Sequence, residues 1–419
     1  MASFSFGAGN VAKLLRIPLY GLGRIATLII PRGKQWVFGC GAGIGDGALA
    51  VWNLAAADEV DAVWLVDNDR DEADAHRLGI ATARKHSIRG FWLTARGGVL
   101  VVTHGLGDVN RYANGGAFIA QLWHGIPLKR IGLDSPETVR LPFGNGSRVL
   151  RALMKWLYRS TTSKISVIPA ASQLIRGRLE SAFALADDRV IVTGEPRVDP
   201  LSVGDAETRT ARARGILTEA VGELPATVLL YAPTWRDGAA DPAVPTTPDW
   251  QAIIAMLTAN DAVLLVRSHP LGAGQYVPPS DLPDGDRVRL VGSDVVRDIT
   301  PALPAVTALI TDYSSLLFDV GLTPTPVVYL APDVQQYAKT RGFYGSYRDV
   351  AGDDYATGWP EATAQLGALL SDDAVFAERR DRAAQLSSRV HDFRDGNNAQ
   401  RVYREIQRRL SLSPRKGTS

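Results

Sequence analysis

Short apolar segments alternate with segments of helical length along most of this chain, and that alternation constrains its fold more than any other feature. The apolar segments are long enough for buried strands, and they are followed by stretches such as Ala48–Ala57 and Ala171–Ala184 that suit helices. In the first half they are Gln35–Phe38, Ala62–Val66, Gly98–Thr103, Phe118–Trp123, Ile165–Ile168 and Val190–Val192. This order indicates an α/β fold with an open parallel sheet.

The same pattern restarts after about residue 200. The second set of predicted strands is Val228–Tyr231, Ala262–Val266, Val288–Val291, Ala305–Ile310 and Pro326–Leu330. A chain of 419 residues is too long for one ordinary core, and 46% hydrophobic residues are enough to bury two. We therefore predict domains at 35–202 and 203–410 and a disordered tail at 411–419. Their cleft, lined by the carboxyl ends of strands, would bind the ligand.

Charge and cysteine content exclude several classes of protein. The net charge is only +2, so nothing in the total calls for nucleic acid as a partner. Both ends of the chain are nevertheless basic. Cys40 is the single cysteine, which excludes an internal disulfide and a Cys-rich metal site.

The N-terminal segment 1–34 mixes apolar clusters with cations such as Lys13, Arg16 and Arg24. These cations, together with Pro18 and Pro31, argue against a transmembrane helix, and no small-residue cleavage site of a signal peptide follows. The segment is typical of an amphipathic helix on an anionic cytoplasmic membrane face. The alternative is a helix packed on the first domain with solvated cations.

The stretch Asp312-Tyr-Ser-Ser-Leu-Leu-Phe-Asp319 follows a predicted strand and begins an apolar helical pattern. A helix N-terminus presents unpaired backbone N–H groups, and Ser314 and Ser315 add hydroxyl donors, so the turn suits a phosphate. The alternative is that Asp312 or Ser314 only caps the helix.

Two nucleotide-binding patterns also occur. Gly43-Ile-Gly-Asp-Gly-Ala48, followed by Asp67, matches a dinucleotide fingerprint, although so many glycines satisfy several patterns by chance. Asp67-Asn-Asp69 resembles the metal clamp of single-domain sugar transferases. The acidic and basic residues that follow it favour a charged loop at the start of a helix instead.

Two histidines follow predicted strands and lie close in sequence to basic residues. His124 precedes Gly125, Lys129 and Arg130, which suits a general base near an anionic substrate. His269 follows another strand, two residues after Arg267. Lone histidines are more often packed or surface residues, and we assign His76, His86, His104 and His391 to that class.

Six motifs in order resemble the CDP-glycerol glycerophosphotransferase family, whose enzymes prime or polymerise teichoic acids and related capsules. They are Trp123-His-Gly-Ile-Pro-Leu-Lys-Arg-Ile-Gly132, Gly194-Glu-Pro-Arg-Val-Asp199, Tyr231-Ala-Pro-Thr-Trp-Arg-Asp237, Arg267-Ser-His-Pro270, Thr311-Asp-Tyr-Ser-Ser-Leu-Leu-Phe-Asp319 and Asp395-Gly-Asn-Asn-Ala-Gln-Arg401. The resemblance runs from about residue 36 to residue 405.

The resemblance implies a GT-B architecture of two facing Rossmann-like domains, with the acceptor domain first and the nucleotide-donor domain second. It implies peripheral attachment to the cytoplasmic face of the membrane. The reaction would be transfer of glycerol phosphate or another alditol phosphate from a CDP-linked donor to a lipid-linked glycan or growing polymer, with release of CMP. We expect no cofactor and no metal.

The same resemblance assigns roles by position. His124 would take the proton from the acceptor hydroxyl, His269 would lie beside the donor diphosphate, and Arg267 would neutralise phosphoryl charge. The acceptor side would include Gly125, Lys129 and Arg130. The donor and phosphate side would include Ser314, Ser315, Asp312, Asp319, Arg197, Thr234 and Arg236.

Some questions stay open at this point. The 395–401 motif lacks the family's usual serine-glutamate pair, and the chain lacks the extra modules of larger capsule polymerases, so both a primase and a compact polymerase fit. A GT-B glycosyltransferase that uses a sugar nucleotide is an alternative, and a non-catalytic membrane-associated binding protein is another.

Overall fold

The computed structural model describes residues 17–139, 148–236, 240–268 and 275–412, which form two compact units. The first unit contains the chain up to Gly125, Arg130–Asp199 and the chain from Asp395 onward. The second contains Ile126–Lys129 and Pro200–Arg394. His269, residues 1–16 of the predicted membrane segment and residues 413–419 of the predicted tail lie outside the described residues.

The first unit is built on a parallel sheet. Its elements are α1 (Ile17–Ile29), β1 (Trp36–Gly39), α2 (Asp46–Ala57), β2 (Ala62–Val66), α3 (Asp69–Arg77), β3 (Thr82–Arg84), α4 (Ile88–Arg96), β4 (Val99–Val102), β5 (Phe118–Gln121), α5 (Arg148–Thr162), β6 (Ile168–Ala170), α6 (Gln173–Phe183) and β7 (Val190–Val192). The five-stranded sheet has the order β3-β2-β1-β4-β5, and β6 pairs with β7. Strands β1 and β4 are buried throughout, which explains their unbroken apolar sequences.

The second unit repeats this plan. Its elements are α7 (Ala206–Val221), β8 (Thr227–Ala232), α8 (Thr247–Ala259), β9 (Ala262–Val266), β10 (Val288–Leu290), β11 (Ala308–Thr311), α9 (Leu316–Asp319), β12 (Val327–Tyr329), α10 (Val334–Thr340), α11 (Arg348–Ala351), α12 (Trp359–Ser371) and α13 (Asp373–Ser388). The sheet order is β10-β9-β8-β11-β12, and every pairing is parallel.

Both sheets therefore reverse their strand order at one place. In the first unit, β2 and β3 lie on one side of β1, and β4 and β5 lie on the other, so the order reverses between β1 and β4. In the second unit the order reverses between β8 and β11. Open α/β sheets bind ligands beside the carboxyl ends of strands at this reversal. The predicted α/β class with two parallel sheets is confirmed, and the reversal points are the places where folds of this kind bind ligands.

The C-terminal boundary of the second unit differs from the predicted 203–410. The last helix, α14 (Asn398–Leu412), belongs to the first unit. Its buried residues Val402, Tyr403 and Ile406 join the core cluster that contains Trp36. The Tyr403 ring centroid lies 5.6 Å from that of Trp36. Its apolar stripe thus packs on the first sheet, which a continuous division of the sequence could not anticipate.

No helix among the described residues is both long enough and apolar enough to cross a membrane.

Candidate active site

His124 lies just beyond the carboxyl end of β5, in a turn with unusual backbone geometry. Trp123 has φ +64° and Gly125 has φ +142°. A positive φ is strained for a bulky residue and persists only where packing holds it. The Trp123 ring is buried and packs edge-on against Phe183, with centroids 5.1 Å apart. The strained turn therefore fixes His124 at the sheet edge, and glycine at 125 provides the second positive φ.

His104 forms a stacked pair with His124. Their ring centroids are 4.3 Å apart and their planes differ by 8°. His104 follows β4, the neighbour of β5, and Gly105 has φ +143°, close to that of Gly125. His104 is a packed histidine, as we assigned it from the sequence, but its place beside His124 was not anticipated. The sequence did contain a signal, since a His-Gly pair follows each of two neighbouring strands.

A hydrogen-bonded loop holds His104 in place. Its Nδ1 lies 2.8 Å from the Thr103 hydroxyl. One carboxylate oxygen of Asp108 accepts from the backbone N–H groups of Thr103, His104 and Gly105 at 2.9, 2.7 and 3.3 Å. Burial lowers the pKa of His104, while the charge of Asp108 opposes that shift. Burial therefore favours the neutral form of the ring beside His124.

Cys40 and Gly41 complete this edge of the first sheet. The Thr103 hydroxyl donates to Cys40 Sγ at 3.1 Å, and burial, with the charges of Asp46 and Asp108, raises the pKa of the Cys40 thiol. A Cβ at Gly41 would lie 2.8 Å from His104 Cγ. Glycine is thus required there for close packing against the histidine.

The acidic loop Asp67-Asn-Asp69 starts a helix, as its flanking charges predicted. The Asn68 side chain accepts from the backbone N–H of Asp71 at 3.0 Å and caps α3. Asp67 forms an ion pair with Lys85 at 3.0 Å.

The Gly194–Asp199 motif meets the Asp395–Arg401 motif within the first unit. The Asp199 carboxylate accepts from the backbone N–H groups of Asn398 and Ala399 at 3.0 and 2.8 Å, at the start of α14. Arg197 is buried and bonds to Glu195 at 3.0 Å. Arg197 lies in the first unit, and its predicted place on the donor side stays a prediction.

In the second unit, Arg236 is the centre of a buried charge cluster. It lies 2.8 Å from Asp312, donates to Asp333 at 3.0 and 3.1 Å and lies 3.9 Å from Asp241. The guanidinium carbon is 5.1 Å from the ring centroid of Tyr313. Although burial acts in the opposite direction, these carboxylates raise the pKa of Arg236 above its ordinary value. We name Arg236, Asp241, Asp312 and Asp333 the arginine cluster.

This cluster changes the interpretation of three predicted donor-side residues. Besides binding Arg236, Asp312 accepts from the backbone N–H of Thr234 at 3.0 Å. The motifs that follow β8 and β11 are thus tied to each other at the strand-order reversal. Asp312, Arg236 and the Thr234 backbone build this end of the sheet, and the charged groups that we expected to contact the donor are used within the protein.

The serine pair precedes a short helix. Helix α9 has four residues, and Ser314 Oγ accepts from the Leu316 N–H at 3.3 Å. Both serines are partly exposed. Asp319 is buried, with its carboxylate 3.9 Å from His391 Nε2, and its predicted place on the donor side stays a prediction. The role of Ser314 and Ser315 in phosphate binding stays a prediction.

Arg267 braces a loop rather than projecting from its strand. Its guanidinium donates to the carbonyl oxygens of Val291, Val296 and Arg297 at 2.8, 2.7 and 3.2 Å. Burial lowers its pKa, and the charges of Asp298 and Asp294 oppose the shift. These bonds favour a positioning role for Arg267.

Lys129 belongs to the second unit, and its predicted place on the acceptor side stays a prediction. It forms a β-bridge with Phe343, and the preceding carbonyl of Leu128 accepts from the Tyr344 N–H at 3.0 Å. Burial lowers the pKa of Lys129 to about 8, with Asp312 opposing the shift. Arg130 is exposed and lies in the first unit.

Comparisons with known proteins agree on one family. A family model described as CDP-glycerol:poly(glycerophosphate) glycerophosphotransferase matches residues 43–408. The teichoic acid glycerol-phosphate transferase of Staphylococcus aureus is 29% identical over 294 residues, which are 68% of this chain and 70% of that protein. The teichoic acid poly(glycerol phosphate) polymerase of Staphylococcus epidermidis is 29% identical over 241 residues, 55% of this chain but 30% of the polymerase.

Solved structures show a similar fold. The wall teichoic acid polymerase TagF superimposes with a TM-score of 0.73 at 20% identity, covering 96% of this chain and 97% of that chain.

Proposed function

Since the chain belongs to the CDP-glycerol:poly(glycerophosphate) glycerophosphotransferase family, we propose that it transfers glycerol phosphate from CDP-glycerol to a hydroxyl of a lipid-linked glycan or growing teichoic acid chain. CMP is the other product. The observation that carries this proposal is His124, which the strained turn holds at the carboxyl edge of the first sheet, partly exposed. Family membership weighs against the sugar-nucleotide and non-catalytic alternatives.

His124 acts as the general base in this reaction. The acceptor oxygen forms a bond to the phosphorus that carries glycerol, and the bond from that phosphorus to the oxygen of CMP breaks. CMP leaves with the electron pair, while the hydroxyl proton moves to an imidazole nitrogen of His124. A positioned general base contributes about 10² to 10⁴ to the rate of such a step.

The reaction also requires stabilisation of the negative charge on the phosphoryl oxygens. Ser314 and Ser315 supply partly exposed hydroxyls beside the β8/β11 reversal, and we assign them to the donor phosphates. The arginine cluster acts indirectly by fixing that end of the sheet. His269 keeps its predicted place beside the diphosphate as part of this proposal.

Glycerol is the alditol that we favour over ribitol, because both relatives described above are named for glycerol phosphate. The test measures CMP release from CDP-glycerol, CDP-ribitol and a UDP-sugar, each with and without a lipid-linked disaccharide acceptor. Acceptor-dependent CMP release from CDP-glycerol alone supports the proposal. Release from CDP-ribitol instead changes the alditol, and nucleotide release only from the UDP-sugar refutes phosphotransfer.

We also propose that the first unit binds the cytoplasmic face of an anionic membrane through α1 and α5. Helix α1 exposes Leu22, Leu28 and Ile29. Helix α5 exposes Val149, 78% accessible, and Trp156, 62% accessible. Leu153 lies between them, and this i, i+4, i+7 spacing forms one apolar stripe.

Charge on α5 complements an anionic surface. The helix carries Arg148, Arg151, Lys155 and Arg159 and no acidic residue. Each such cation contributes about 1 kcal/mol near an anionic bilayer, and the apolar stripe adds burial in the headgroup region. The two contributions together distinguish α5 from an ordinary solvated helix.

Co-sedimentation with vesicles containing phosphatidylglycerol tests the membrane proposal. The double variant Leu153→Gln/Trp156→Gln should lose at least tenfold in binding. Trp92→Gln is the matched control, because Trp92 is an exposed tryptophan on α4 of the same unit. Equal binding by the double variant and the wild type would contradict the assignment of α5.

A further inference from the structure

Three side chains at the carboxyl edge of the first sheet carry atoms that can bind a metal ion, and the proposed reaction does not use them. Cys40 follows β1, Asp46 begins α2 and His104 follows β4. Each offers one potential ligand atom, and all three atoms lie within 4.8 Å of one another. We propose that Cys40, Asp46 and His104 form a binding site for a divalent transition-metal ion, with Zn²⁺ as the preferred ion. The sequence alone had led us to expect no metal.

The chemistry of the donor set selects the metal. A thiolate, an imidazole and a carboxylate are the three ligand types that proteins use for Zn²⁺. Mg²⁺ and Ca²⁺ prefer oxygen ligands throughout, so sulfur and nitrogen together disfavour them. Three protein ligands also leave a fourth tetrahedral position for water, as in catalytic zinc sites.

The surroundings of the three ligands resemble the outer shell of a metal site. His104 Nδ1 lies 2.8 Å from the Thr103 hydroxyl, which lies 3.1 Å from Cys40 Sγ and 3.3 Å from an Asp108 carboxylate oxygen. In metal-bound histidines, the ring nitrogen that does not bind the metal usually forms a hydrogen bond to a neighbouring group. These hydrogen-bond partners orient the ligands. One hydroxyl thus connects two of the proposed ligands to a buried carboxylate.

Two buried oxygen atoms beside Thr103 supply an independent observation. The Oδ1 atom of Asp108, a residue 2% exposed, has no hydrogen-bond partner among the described residues, and neither has Gln121 Oε1, on a fully buried residue. The Gln121 amide donates to the Thr103 carbonyl at 3.3 Å. Buried acceptors of this kind are normally satisfied, and water bound to a nearby cation is a donor that would satisfy them.

A metal on His104 would also act on His124. The two rings are stacked at 4.3 Å, so a coordinated and therefore fixed His104 restricts the His124 ring. If the proposed transferase activity is correct, the metal is then a positioning element for its base. This consequence rests on the proposed function, whereas metal binding itself does not.

Cobalt provides a spectroscopic test that needs no activity. The full-length protein is dialysed against a chelator and titrated with Co²⁺, and thiolate-to-cobalt charge-transfer absorption in the near ultraviolet reports a Co–S bond. We expect one equivalent to bind and Zn²⁺ to displace it. Cys40→Ser should abolish the charge-transfer band. Thr103→Val, which removes only an outer partner, should weaken affinity by about 10- to 100-fold.

His86→Gln is the matched control, because His86 pairs with Asp67, is not one of the three proposed ligands and should leave the band unchanged. Circular dichroism tests whether each variant is folded. If Cys40→Ser unfolds, the weaker cobalt affinity of Thr103→Val tests the proposal instead. A wild type without the band, or a band that survives in folded Cys40→Ser, overturns the proposal. CMP release by a wild type that shows no band would refute the metal site alone, and a band without CMP release would refute the transferase alone.

Discussion

Replacing Arg236 by alanine separates a structural role from a direct role in donor binding. The Arg236 side chain is 6% exposed and has Asp312 at 2.8 Å and Asp333 at 3.0 Å. Alanine would leave both carboxylates without their cation, and Asp312 is itself buried. If Arg236 chiefly holds this end of the second sheet, the variant should lose stability before it loses affinity for the donor.

The expected loss follows from the geometry of the cluster. Removing one partner of a buried ion pair costs about 3–5 kcal/mol, because the remaining charge keeps its desolvation cost. For a domain of 150–250 residues, 1 kcal/mol corresponds to about 2–4 °C in Tm. The transition of the second unit should therefore fall by roughly 6–20 °C.

Differential scanning calorimetry measures this change and can separate transitions of two units. Arg380→Ala is the control, because Arg380 is an exposed arginine of the same unit paired with exposed Asp381, and such pairs are worth about 1 kcal/mol or less. If Arg236→Ala melts like Arg380→Ala but no longer binds CDP-glycerol, Arg236 is a donor ligand and our interpretation of the arginine cluster is wrong.

Two further variants test single contacts. Lys129→Met should raise stability at pH 7, because burial lowers the pKa of Lys129 from 10.5 to about 8. Between about pH 8 and 10.5 the Lys129 amine is protonated in the unfolded chain but not in the folded protein, so the stability of the wild type rises with pH in that range. Below pH 8 the amine is charged in both states, and burying that charge destabilises the folded protein by up to about 3 kcal/mol. Thermal melts at pH 7 and 10 should show the advantage of Lys129→Met shrinking at the higher pH, and a constant difference would contradict a titrating Lys129. Asp199→Ala removes the acceptor for the Asn398 and Ala399 N–H groups and should cost about 1–2 kcal/mol. Hydrogen exchange should accelerate in α14, and unchanged protection there would show that this cap is not needed.

Much of the fold was predictable because buried parallel strands leave unbroken apolar segments. Strands Ala62–Val66, Val190–Val192 and Ala262–Val266 lie where the sequence indicated. The strand Thr82–Arg84 was missed. It is a three-residue edge strand with two polar residues, so its sequence carries no apolar run.

The site was less predictable, because its contacts join residues far apart in the chain. The pairing of Arg236 with Asp312 and Asp333 depends on the β8/β11 adjacency, which local sequence cannot reveal. For the same reason the ion pairs among these charged motif residues were not anticipated from the sequence. His124 was predictable from its place after a strand, whereas His104 needed the knowledge that β4 and β5 are neighbours.

The most direct test of the central claim measures His124→Ala with CDP-glycerol and a lipid-linked acceptor. We predict CMP release slower by about 10² to 10⁴, with the Kd for CDP-glycerol nearly unchanged, since His124 acts on the acceptor proton. Wild-type turnover in this variant would remove His124 from the mechanism and contradict the account.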